Sequence, residues 1–270
     1  MVWGSFTKTH LITLALAALI NVLVYLVLKR NTRSKQIIAL FLFSLFGAGV
    51  VLFSLFSKET ETLKNLPLSF WSLNAILLPF AVLFRSKKLC NLLLIWSFSS
   101  IYALVFNGSM ANVEILTFDF MIYYTMHLLG AGIPILLFEL NLVKREVDTI
   151  KPTVKITLLA YTAVHFINVY INSACGWSAT DGVNYMSTLA PTTSLLSFFN
   201  ALIPLSYFYM LPAIPLLLIY LLYWYLPEIL EERRKYKPLR KMYRDVDRYY
   251  EEYEEEYIDE IIDEKYEKLK

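Results

Sequence analysis

Residues 10–30 read HLITLALAALINVLVYLVLKR. No charge interrupts the run from His10 to Leu28, and it stops abruptly at Lys29-Arg30. A helix that crosses the hydrocarbon of a bilayer needs about 20 mainly apolar residues. A cleaved signal peptide would carry a shorter core of about 7–15 residues and then a small-residue cleavage site. The stretch therefore reads as a retained first span over 10–28. Six further runs of this kind follow, at 37–56, 66–84, 89–106, 119–143, 154–173 and 205–227. In a bilayer every backbone polar group needs an internal partner, so these runs predict helices. The composition agrees: 57% of the 270 residues are hydrophobic and 18% charged. Soluble domains hold about 45–50% and about 25%. Disordered, collagen-like and ordinary soluble enzymes are excluded. The expected fold is all-α, a polytopic membrane bundle of seven transmembrane helices.

The loop charges set the orientation. Lys29, Arg30, Arg33 and Lys35 follow the first run, Arg85, Lys87 and Lys88 the third, and Lys144, Arg145, Lys151 and Lys155 lie around the loop after the fifth. Alternate loops hold only Lys8, Lys58 and Lys64, and the stretch 174–204 holds no Lys or Arg. Basic loops stay in the cytoplasm. The expected topology is N-terminus outside and C-terminus cytoplasmic, in the cell membrane.

Two domains are expected, a transmembrane domain over 1–227 and a charged C-terminal module over 228–270. The first carries 14 Lys/Arg against 8 Asp/Glu and the second 11 against 15, so a formal net charge of +2 hides two opposed objects. Within the tail, 233–248 is basic and 249–270 acidic. A basic collar attracts anionic lipid on the inner leaflet. Val246, Tyr250, Tyr253, Tyr257 and Ile261 keep the three-and-four rhythm of one helix face. A cytoplasmic Tyr-rich helix is expected after Pro238. It reads either as a solvated charged tail or as a docking helix, with residues 239–270 recruiting a cytoplasmic partner or a second copy. The adjacent acidic block argues against nucleic acid.

Ionisable and strongly polar residues inside a span usually face the protein interior. Under this topology His10, Ser69, Ser72, Asn74, His127, His165, Asn168 and Asn172 fall at one depth, in the outer half of four helices. His165, Asn168 and Asn172 make one helix face, and Tyr123, His127, Gly130 and Pro134 make another. Gly130 and Ala131 allow close approach of a neighbouring helix. The pattern predicts a polar cavity in the outer half of the bundle. Each member also has a plain structural reading, such as a bond to a neighbouring carbonyl or to its own backbone. Glu139, near the inner end of its span, can snorkel or pair with a basic loop. Cys90 and Cys175 fall near opposite faces and are not expected to pair, and no metal-ligand spacing occurs. No metal or cofactor is expected.

Four segments carry a family pattern: Thr9-His10-Leu11-Ile12-Thr13-Leu14, Leu66-Pro67-Leu68, His127-Leu128-Leu129-Gly130-Ala131-Gly132-Ile133-Pro134, and Asn184-Tyr185-Met186 with Pro191. Their order and spacing resemble the YwaF-like integral membrane protein family over about residues 1–225. That family includes an animal membrane acyltransferase that remodels ether phospholipids. The resemblance implies a seven-helix fold with an intramembrane histidine, matched by His127. In the acyltransferase branch a cysteine shortly after the Leu-Pro-Leu segment is the nucleophile. Here Trp71 stands in that place and cannot attack an ester; Ser72 or Ser69 can substitute only if its hydroxyl reaches His127.

Three readings follow. The first is a lipid-directed acyltransferase or acyl hydrolase, with His127, Ser72 and Ser69 catalytic and with His10, Trp71, His165, Asn168, Asn184 and Tyr185 binding the lipid. The second is a non-catalytic lipid-binding or scaffold protein. The third, a small-solute transporter, ranks below both because no inverted repeat is evident.

Overall fold

The structure, a computed structural model, describes residues 2–56, 59–106, 110–235 and 248–249. The chain divides into two units, Met1–Tyr223 and Trp224–Lys270. The expected Tyr-rich helix of the tail lies outside the described residues, apart from 248–249. Among the described residues there is no β-strand, only an isolated antiparallel bridge between Val2 and Glu114.

Eight α-helices organise the described chain: α1 Lys8–Lys29, α2 Arg33–Phe56, α3 Phe70–Phe84, α4 Lys87–Val105, α5 Phe118–Glu139, α6 Ile150–Cys175, α7 Ser194–Leu202 and α8 Phe208–Lys235. Six of them, all but α3 and α7, are long and apolar enough to cross a membrane. The all-helical, membrane-type fold stands as expected, but the count of long spans is six rather than seven. The run 66–84 yields only the 15 residues of α3, about 22 Å at 1.5 Å per residue. Pro67 restricts Leu66 and gives no N–H, which keeps the approach to the helix extended. Helix α3 then begins where Ser69 caps it.

The stretch 174–204, expected as one long loop, contains α7 and a short 3-10 turn over Tyr185–Ser187. Helix α8 opens with a 3-10 turn, Phe208–Ala213, that accommodates Pro212.

Burial separates the helices. Over half of the apolar windows of α4 and α5 is buried, against about a tenth of that of α1. Helix α5 is central, touching α1, α2, α3 and α4. Large apolar side chains such as Ile12 and Val27 on α1 and Leu159 and Phe166 on α6 are about 60–70% exposed. In water that would be costly; in lipid it is the expected outer surface.

Close approach at the centre depends on Gly130. A Cβ there would stand 2.7 Å from the Ser100 Oγ of α4. Across the same junction the Asn74 amide of α3 donates to the Gly130 carbonyl at 2.9 Å. The sequence places Gly130 correctly as a contact point, and Asn74 proves fully buried. Cys90 is buried and Cys175 exposed, both as free thiols.

Candidate functional site

The site is built from the start of α3, the middle of α5 and one loop. At the start of α3 the hydroxyls of Ser69 and Ser72 form a capping box. Ser72 Oγ accepts from the Ser69 N–H at 3.1 Å and donates to the Ser69 carbonyl at 2.9 Å, while the two hydroxyls lie 2.7 Å apart. This reciprocal cap satisfies donors that a helix start leaves open. It also fixes Trp71, one residue before Ser72.

On α5, capped by Thr117, His127 Nδ1 lies 2.7 Å from the Tyr123 carbonyl. A carbonyl only accepts, so Nδ1 carries the proton and Nε2 carries the lone pair. Nε2 has no hydrogen-bond partner among the described residues. The ring sits between the Tyr123 ring, 4.1 Å away between centroids, and the Trp71 ring, 5.0 Å away.

These groups line a cavity of about 430 Å³, within the range of small-molecule sites. Phe98, Phe106, Leu196 and Phe199 supply its apolar part. Among the described residues the one charged side chain in the lining is Lys64, whose ammonium sits 5.4 Å from the centre of the Trp177 ring.

The cavity brings together six of the nine residues expected at a site: His127, Ser69, Ser72, Trp71, Asn184 and Tyr185. Neither serine hydroxyl bonds to His127; both are held in the cap. Asn184 binds its own loop, donating to the Ala190 carbonyl at 2.7 Å and accepting from the Leu189 N–H at 3.0 Å. Burial pushes the Tyr185 phenol up to about 12, so it stays neutral at physiological pH.

The other three fall outside the lining. His10 is fully buried with both nitrogens occupied: Nε2 donates to the Leu104 carbonyl at 2.8 Å and Nδ1 accepts from the Phe6 N–H at 2.9 Å. It ties the start of α1 to the end of α4. His165 packs edge-on against Tyr207, 5.1 Å between centroids. Asn168 donates to the Tyr185 carbonyl and to Thr188 Oγ1, both at 2.9 Å, and accepts from the Tyr185 N–H at 3.1 Å. One turn on, Asn172 repeats the device on Val183, donating at 2.9 Å and accepting at 2.8 Å. Gly182 makes room for it, since a Cβ there would lie 2.2 Å from Asn172 Oδ1. The polar face of α6 therefore clamps the loop that roofs the cavity.

Sequence reasoning missed Tyr102, whose hydroxyl forms a short hydrogen bond with Thr193 Oγ1, the cap of α7. The signal was present as a capping threonine followed by apolar residues at 195, 196, 199 and 202. Among the described residues no group of three His, Cys, Asp or Glu side chains could hold a metal.

Bundle and cavity together define a class: a multi-pass helical membrane protein with a histidine-bearing, largely apolar chamber at one end. A family model covers residues 5–225 of the chain. On that match the chain belongs to the TMEM164 family. The finding overturns the resemblance to the YwaF-like family. The four segments behind that resemblance are short, and several of their residues have plain packing roles, such as the close contact at Gly130 and the loop bonds of Asn184. No curated protein and no solved structure matches the chain.

Proposed function

We propose that the protein is a lipid-directed acyltransferase or acyl hydrolase in which His127 is the general base. One observation carries this reading. Nδ1 is pinned by the Tyr123 carbonyl, which leaves the lone pair on Nε2 of a histidine that lines the cavity. A base fixed in one tautomer by a backbone acceptor needs no acidic partner to orient it. The attacking oxygen is a hydroxyl of the bound lipid, or water, rather than Ser69 or Ser72, whose hydroxyls are engaged in the cap. In that step Nε2 takes the hydroxyl proton as the oxygen attacks the ester carbonyl. The proton then passes to the departing oxygen. The acyl chain lies among Phe98, Phe106, Leu196 and Phe199.

The test is lipidomic, comparing cells with the parental chain, His127→Gln, Ser69→Ala/Ser72→Ala and a full deletion. His127→Gln should reproduce the deletion profile while still inserting in the membrane, and the double serine variant should retain parental lipids. A deletion that leaves every lipid class unchanged sinks the proposal. Loss of activity in a stably folded serine variant would return the nucleophile to Ser69 or Ser72.

A second reading, a non-catalytic lipid-binding or scaffold protein, is favoured by Trp71, whose ring covers one side of His127. In that reading residues 239–270 recruit a cytoplasmic partner or a second copy. Deleting them should then change the proteins that co-purify; an identical set counts against it.

Both readings use seven passes in the cell membrane, with the N-terminus outside and α3 as a short third crossing. Cys175 is exposed and on this topology faces outward. An impermeant maleimide should label it on intact cells. Labelling only after permeabilisation would reverse the orientation.

A further inference from the structure

Gly182 to Pro227 is a run of 46 residues without one charged side chain. Helix α7 lies inside it, and its nine residues divide into three strips. Leu196 and Phe199 are buried and line the cavity. Phe198 and Leu202 are each 58% exposed. Ser194 and Ser197 are also exposed, on the same outward side. At 100° per residue, Phe198 and Leu202 project within about 40° of each other, Ser197 lies about 100° from Phe198, and Ser194, about 40° from Phe198, falls between the two edges. A helix facing water would place charges on its outer side. Here that side is apolar along one edge and hydroxylated along the other, as in a helix lying at a membrane surface.

The exposed apolar edge does not end with α7. Leu205, Phe208 and Leu211 continue it, and Ile214, Leu218 and Ile219 carry it down α8. Helix α8 is long and apolar enough to span the membrane, so exposed apolar side chains recur from α7 into a helix of membrane character.

We propose that α7 is an interfacial helix. Phe198 and Leu202 insert into the acyl region of the leaflet at this end of the bundle, and Ser194 and Ser197 face the headgroups. The cavity then has a wall that is itself a membrane contact, and acyl chains reach the chamber sideways, past α7. Three features place α7 as that wall: its buried side lines the chamber, its Thr193 cap is bonded to Tyr102 on α4, and Tyr209 packs beneath Leu196 and Phe199. The inference rests on the membrane character of the bundle alone and stands whether or not His127 does chemistry.

The test uses the full-length chain in phosphatidylcholine vesicles, with Cys175→Ser and one nitroxide-labelled cysteine at a time at positions 194, 197, 198 or 202. Power saturation should show oxygen relaxing the label more than a water-soluble nickel complex at 198 and 202, with the order reversed at 194 and 197. Nickel dominance at all four positions would overturn the proposal. So would spin–spin broadening at 198 and 202 that disappears on dilution with unlabelled chain, since a second copy would then cover this edge. A second measurement uses phosphatidylcholine with a photoreactive diazirine in its acyl chain, mapped by mass spectrometry. Trp71 and Met210 in the cavity should be labelled, and Phe198→Ser/Leu202→Ser should lower that labelling several-fold relative to Leu218 on α8. An unlabelled cavity, or an unchanged ratio in the variant, would overturn the sideways route.

Discussion

The two ends of the bundle are held by different chemistry. At one end the connections are basic and meet acids and carbonyls at the surface. Lys87 contacts Glu146, Arg145 reaches Glu139 at 3.3 Å, and the Arg33 guanidinium donates to the Leu142 carbonyl at 3.2 Å. Buried amides at that end, Gln36 and Asn91, donate to backbone carbonyls. At the other end, buried amides both donate to and accept from one peptide group or residue, Asn168 on Tyr185 and Asn172 on Val183. Charges in contact with water are screened and need no unique geometry. A buried amide facing one peptide group must satisfy both its donor and its acceptor, because water is not there to do so. The first end joins its connections through surface charge, and the second sets the shape of a chamber.

The largest expected effect follows from that contrast. Asn168→Ala strips a fully buried amide and leaves the Tyr185 N–H and carbonyl without their side-chain partners. At about 1–3 kcal/mol per buried group left unsatisfied, the loss should reach about 2–4 kcal/mol. Thermal unfolding in detergent should show it as a clear fall in midpoint, and Asn172→Ala should match it. If the midpoint moves no further than in a basic-loop variant, the contrast between the ends is broken.

Next in size is a contrast between two histidines. His10 satisfies a backbone carbonyl and a backbone N–H at once. His10→Phe should therefore cost about 2 kcal/mol of stability. Among the described residues His127 makes one hydrogen bond, to a carbonyl one turn back in its own helix. His127→Phe should fold close to parental stability and lose whatever the cavity does. Equal destabilisation of the two variants would make His127 a structural residue and remove the case for a base.

How much of this was legible beforehand follows the same division. Long apolar runs and loop charges are one-dimensional signals, and they supplied the all-helical membrane fold and the long spans. Helix α3 is shorter than the apolar run 66–84 because apolarity continues through Leu66–Leu68, where Pro67 and the Ser69 cap delay the helix. Helix α7 was missed because nine residues are too few for a span and the missing charges around it read as loop. The depth argument gathered His127, Ser69 and Ser72, which line one cavity. It also drew in His10, His165 and Asn168, since shared depth does not tell a chamber-facing residue from one turned toward a neighbouring backbone. The tautomer of His127 is set by a carbonyl, which sequence never displays.

A smaller effect is expected where Tyr102 meets Thr193. Tyr102→Phe removes one hydroxyl partner and keeps the ring, so stability should change by about 1 kcal/mol. The more telling readout is the mobility of a nitroxide at position 198. Loosening of that label in Tyr102→Phe, with the unfolding midpoint nearly unchanged, would show that this hydrogen bond holds α7 in place. An unaltered spectrum would mean that Leu196, Phe199 and Tyr209 hold the helix by packing alone.

The smallest effect belongs to the basic end. Lys87 and Glu146 are 57% and 38% exposed, and exposed pairs contribute about 0–1 kcal/mol. Glu146→Gln should move the unfolding midpoint by little, and that little should vanish at high salt, because screening already suppresses the pair in the parental chain. The same salt titration should leave the Asn168→Ala deficit intact, since amide–backbone bonds carry no net charge to screen. Two variants, one at each end, measured in low and high salt, thus separate the two kinds of construction in a single experiment. If the Asn168 deficit shrank with salt while the Glu146 effect persisted, the contrast between screened ion pairs at one end and two-way amide clamps at the other would be broken.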